Sequence, residues 1–127
     1  MKTKSFRYSV IITGPAYGTQ SSFCAYQFCL SLLNNSTHTL HSIFFYADGT
    51  YNANRFTNPA NDEFHLVEAW QTLAKTHHIK LSVCIAAAQR RGVTQEEFAN
   101  NIANEFELVG LGDLSDSVAQ CDRVIQF

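Results

Sequence analysis

Along this chain, apolar residues fall either in short contiguous runs or at every third or fourth position, and the alternation of the two rhythms predicts the fold. Residues 6–13 are rich in aromatic and β-branched types (Tyr8, Val10, Ile11, Ile12) and stop at Gly14 and Pro15, which predicts a strand closed by a turn. A helix should follow: Thr19, Ser21 and Ser22 offer caps, and Phe23, Tyr26, Leu30 and Leu33 recur at helical spacing until Asn34 and Asn35. Residues 40–46 hold Ile43, Phe44 and Phe45 in succession, the signature of a strand buried on both faces.

The stretch ADGTYNANRFTNPAND, residues 47–62, reads as a long polar loop whose final Asp62 caps a helix striped by Leu66, Trp70 and Leu73 and running to about His77. Residues 81–86 predict a third strand. Thr94 followed by Glu97 has the form of a capping box and predicts a helix toward Asn104. Residues 106–109 suggest a short strand punctuated by Gly110 and Gly112. Leu114 and Val118 mark a last helix, and residues 123–127 a closing strand. Strand–helix alternation throughout predicts a three-layer α/β/α sandwich on a mostly parallel sheet. No linker, repeat or low-complexity tract interrupts residues 1–127, so one domain is expected.

Composition narrows the functional classes. At 127 residues the chain can bury a sizeable core without staples. Charged residues make up only 16 %, below the ~25 % of soluble domains, as when surface is covered in an oligomer or as in a core-rich monomer. The formal charge of -2 gives no basic footprint for nucleic acid. The apolar stretch after the first lysines is too short for a signal sequence or a membrane span, and a cytoplasmic protein is expected. Free thiols are then expected at Cys24, Cys29, Cys84 and Cys121. No CxxC occurs, and His77 and His78 are adjacent rather than a helical turn apart, so no metal site is signalled.

Candidate chemistry gathers where the predicted strands end at their carboxyl edge. In LSVCIAAAQRRGV, residues 81–93, Cys84 closes an apolar run and is followed by three alanines and then Arg90 and Arg91. A helix start and nearby cations favour the reactive thiolate, with Arg90 and Arg91 as candidate supports. The alternative is that Cys84 is a small core hydrophobe and the arginines a solvated pair. Cys24 and Cys29 read as core residues of the first helix, and Cys121 is ambiguous. The GPAYGT turn, residues 14–19, allows either a phosphate-binding loop, as in a flavodoxin-like nucleotide binder, or a plain turn; it lacks GxGxxG and the P-loop lysine.

Taken together, TGPAYGTQ at 13–20, FFYADGTYNAN at 44–54, DEF at 62–64 with AW at 69–70, CIAAAQRRGV at 84–93, GLG at 110–112 and CDRVIQF at 121–127 resemble the DsrE-like sulfurtransferase family. Within it, the chain is similar to subunits of the sulfur relay that supplies 2-thiouridine in tRNA. The resemblance implies a parallel five-stranded sheet and a persulfide-carrying cysteine at Cys84. It implies assembly with TusB-like and TusC-like subunits as a heterohexamer of two heterotrimers, a TusA-like sulfur donor and a TusE-like acceptor. It calls for no cofactor and no metal. A non-catalytic scaffold subunit, or a role in dissimilatory sulfur metabolism, are the alternatives.

Overall fold

Ile43, Phe44 and Phe45 are all buried although successive strand residues point to opposite faces, so both faces of their sheet must be covered. The computed structural model describes residues 4–96 and 99–127. Its elements follow as β1 (Arg7–Ile12), α1 (Ser21–Asn35), β2 (Thr39–Phe45), a 3-10 helix (Ala47–Ala53), α2 (Leu66–His77), β3 (Leu81–Cys84), α3 (Ile85–Arg90), β4 (Gln95–Glu96), β5 (Ala99–Asn100), β6 (Phe106–Val109), α4 (Leu111–Gln120) and β7 (Arg123–Gln126). Five strands form one sheet in the order β6-β3-β2-β1-β7, and every pairing is parallel. All five therefore present their carboxyl ends at one edge, where the segments following β1, β2, β3 and β6 converge.

The two faces differ in thickness. On one, Phe45 meets Trp70 of α2 edge-on with ring centroids 5.3 Å apart, and Trp70 meets Tyr26 of α1 at 5.4 Å. Val10, Ile12, Ile43, Leu66 and Leu73 complete this principal core, where burial of each large apolar side chain contributes roughly 1.5–3 kcal/mol. On the other, Phe44 joins a small cluster with Cys84, Ala87 and Val109, against which Tyr46 and Leu114 of α4 pack. Beside it, Ser9 and Ser42 satisfy one another at 2.9 Å on adjacent strands. The three-layer α/β/α architecture follows, with a sheet that is wholly parallel.

Several expectations need correction. The supposed polar loop begins as the 3-10 helix, with Gly49, Thr50, Asn52 and Ala53 buried. Its polar groups survive burial because they bond internally: Asn52 Nδ2 donates to the carbonyls of Gly49 (2.9 Å) and Gly14 (3.3 Å) and to Ser22 Oγ (3.0 Å), while Trp70 Nε1 donates to Asn52 Oδ1 (3.1 Å). Helix α2 starts at Leu66, where His65 Nδ1 accepts from the Glu68 amide, and not from an Asp62 cap. Strand β3 ends at Cys84, and residues 85–86 already belong to α3.

Where a helix is predicted after Thr94, the structure has the antiparallel pair β4 and β5; Glu97 lies outside the described residues. Asn101 explains the difference. Its Oδ1 accepts from the Thr94 amide at 2.7 Å and its Nδ2 donates to the Gly92 carbonyl at 2.8 Å, closing the segment into a loop. In α1, the residues packed deepest are Ser22, Ala25, Cys29 and Leu32, one position behind the predicted stripe. Cys29 is therefore core, whereas Cys24 is exposed.

Candidate functional site

At the carboxyl edge of the sheet, β3 delivers Cys84 directly into α3, for which Cys84 is the N-cap residue. Leu81, Ser82 and Val83 fix the preceding strand by complete burial, and small residues let the chain turn at once into helix: Ala87 and Ala88 are buried beneath the turn, while Ile85 and Ala86 face outward. Cys84 pairs in register with Val109 of β6 and is 2 % exposed. Its thiol is free and buried, and the apolar neighbours packed with it are Phe44, Ala87 and Val109.

The cationic pair beyond it divides. Arg90 is exposed at the end of α3. Arg91 is anchored: its Nε donates to Asp48 Oδ1 at 2.8 Å and its Nη1 to the Ala87 carbonyl at 3.0 Å. Arg91 thereby ties the helix that follows Cys84 to the 3-10 helix that follows β2. Asp48 carried no functional expectation from sequence, because only the fold brings it to Arg91; its place three residues beyond β2 is the one available hint.

The other cysteines lie elsewhere. Cys29, buried in α1, has its thiol pushed up to about 12 by desolvation, which keeps it protonated and inert. Cys121 follows α4 at the opposite edge of the sheet, its sulfur 3.3 Å from the Arg123 carbonyl. Among the described residues no three His, Cys, Asp or Glu side chains converge as metal ligands, and no helix is long and apolar enough to cross a membrane.

The GPAYGT turn borders a cleft of about 610 Å³ lined by Ala16, Tyr17, Gly18, Thr19, Gln20, Phe23, Glu63, Phe64 and Leu66. Tyr17 Oη donates to the Phe64 carbonyl at 2.7 Å and accepts from the Leu66 amide at 3.1 Å, so the tyrosine pins the turn to the start of α2. The lining includes a carboxylate and no lysine or arginine, the wrong charge for a phosphate. This turn is a structural connection.

Residues 7–127 match the DsrE/DsrF-like family. The chain is 51 % identical to sulfurtransferase TusD of Buchnera aphidicola subsp. Acyrthosiphon pisum (strain 5A) and 53 % identical to that of Pectobacterium carotovorum subsp. carotovorum (strain PC1), in each case over 94 % of this chain and 98 % of the relative. It is 48 % identical to sulfurtransferase TusD of Photorhabdus laumondii subsp. laumondii over 97 % and 98 %. The crystal structure of the ychN protein from E. coli superposes with a TM-score of 0.80 at 16 % identity, covering 95 % of this chain and 98 % of that one, which shows the same fold. With the family matched over nearly its whole length and full-length relatives at half identity, the chain belongs to the DsrE/DsrF-like family.

Proposed function

We propose that this protein is a TusD-type sulfurtransferase that carries sulfur as a persulfide on Cys84. It accepts the sulfur from a TusA-like carrier and hands it to a TusE-like acceptor in the relay for 2-thiolation of the tRNA wobble uridine. It would work in the cytoplasm, within a heterohexamer containing TusB-like and TusC-like subunits. The observation that carries this reading is the position of Cys84: of the four cysteines it alone stands at the carboxyl edge of the sheet, at a strand-to-helix junction, in a chain half-identical to TusD sulfurtransferases.

The chemistry is thiol–disulfide exchange. The Cys84 thiolate attacks the terminal sulfur of the donor persulfide, the donor's S–S bond breaks, and the donor cysteine leaves as thiolate. The acceptor's thiolate then attacks the outer sulfur on Cys84, which leaves in turn as thiolate. One sulfane sulfur moves, with no net oxidation and no need of a metal or organic cofactor. Arg91 supports this through the placement of α3, its Nε being engaged by Asp48 and its Nη1 by the Ala87 carbonyl.

Near-complete burial of Cys84 favours a second reading, in which the chain is a scaffold subunit and the thiol is inert. Intact-mass measurement after incubation with a persulfide donor separates them. Wild type should gain one reducible sulfur and Cys84→Ser none; equal gain by both would sink the relay reading.

A further inference from the structure

Relay chemistry on Cys84, as proposed above, requires a second protein's sulfur to reach a thiol that is 2 % exposed. The groups that cover it differ in how firmly they are held. Phe44 and Val109 are buried strand residues, and Ala87 is itself buried on α3. Tyr46 is held by its amide on the Ile12 carbonyl at 2.9 Å. Leu114, on α4, also packs against this cluster and is only partly buried.

Helix α4 is ten residues long and buries none of them. Asp113, Leu114 and Ser117 are half-buried toward the sheet, while Leu111 and Val118 are exposed. Its N-cap Gly110 offers no side chain to the first turn, and Gly112 within that turn weakens it further. Besides the packing of Leu114, two polar contacts among the described residues fasten it to the sheet region: Ser9 Oγ donates to the Ser117 carbonyl over a long 3.4 Å, and Lys80 Nζ meets Asp113 Oδ2 at 3.0 Å on the surface. Exposed ion pairs hold weakly, and an element with few buried contacts opens at a small fraction of the global stability.

We propose that α4 is a lid on Cys84: it lifts from the sheet and withdraws Leu114 when a sulfur carrier docks, then closes over the sulfur. Opening of this single helix reconciles a buried thiol with chemistry between proteins while leaving the principal core untouched.

The test is native-state alkylation of Cys84 by iodoacetamide, read by peptide mass, alongside hydrogen exchange of α4. Leu114→Ala should speed labelling roughly tenfold, the change expected from about half of a buried leucine's transfer free energy. Asp113→Asn should speed it by less, and α4 amides should exchange well ahead of those in α1. Labelling unchanged in both variants, α4 amides as protected as those of α1, or failure of either variant to fold would overturn the proposal. Because labelling reads access to the thiol and not sulfur transfer, the lid and the persulfide assignment can each fail alone.

Discussion

Arg91 Nε lies 2.8 Å from Asp48 Oδ1, and this pair joins the segments that follow two neighbouring strands, β2 and β3, at the edge where Cys84 sits. The same guanidinium donates back to the Ala87 carbonyl, one turn earlier in α3, which holds it against its own helix. Asp48 is more than half exposed, which limits the ion pair to about 0.2–1 kcal/mol. Asp48→Asn should therefore cost less than about 1 kcal/mol in urea unfolding. Arg91→Met, which also releases Ala87, should cost more. Equal losses would mean that the bond to the Ala87 carbonyl contributes nothing.

Gly49 approaches the end of β1 so closely that an added Cβ would stand 2.0 Å from the Ile12 carbonyl oxygen. The obstacle is backbone, so relief requires the 3-10 helix to move. Gly49→Ala should destabilise the fold by roughly 1–3 kcal/mol, a loss measurable by thermal unfolding. A melting temperature equal to wild type would show that this approach is not tight in solution.

Asn52 holds the turn after β1, the 3-10 helix and α2 together through one buried amide. Asn52→Leu keeps the branching and heavy-atom count and strands the Trp70 indole N–H with no acceptor. The expected cost is about 1–3 kcal/mol for that group alone, with further losses from the carbonyls. Chemical denaturation tests this, and a variant as stable as wild type would place the burden on packing instead.

Cys29 provides a pH test. Its thiol is raised from an ordinary value of 9.0 to about 12 by burial, so the unfolded chain loses this proton before the folded one does. The stabilisation is complete below pH 9 and is lost progressively as pH climbs toward 12, at no more than ~1.4 kcal/mol per pH unit. Cys29→Ala should unfold with a shallower alkaline decline than wild type. Identical slopes in the two proteins would contradict the assignment.

The strands were legible because each is a short apolar run ended by turn residues, and Cys84 could be placed at a strand end for the same reason: apolar Leu81 and Val83 give way to three alanines. What sequence concealed depends on partners distant along the chain. Thr94 and Glu97 fit a capping box, whereas in the structure Asn101, seven residues beyond Thr94, bonds the Thr94 amide and the Gly92 carbonyl. The 3-10 helix hid behind polar residues, among them Asn52, whose burial is made possible by Gly14, Ser22 and Trp70 meeting its amide. In α1 the sheet is faced by small residues and the large ones ring the contact, so the bulky stripe pointed one position away from Cys29. The anchoring of Arg91 was hidden for a similar reason, since Asp48 is 43 residues away.

The most direct test of the central claim is to load the wild-type protein with a persulfide donor and map the added sulfur by peptide mass spectrometry. Accessibility alone would direct it to Cys24, which is exposed, and away from Cys84, which is buried. The account predicts the sulfur on Cys84 and its removal by an acceptor thiol. Sulfur found on Cys24, or spread among the cysteines and retained in Cys84→Ser, would contradict it.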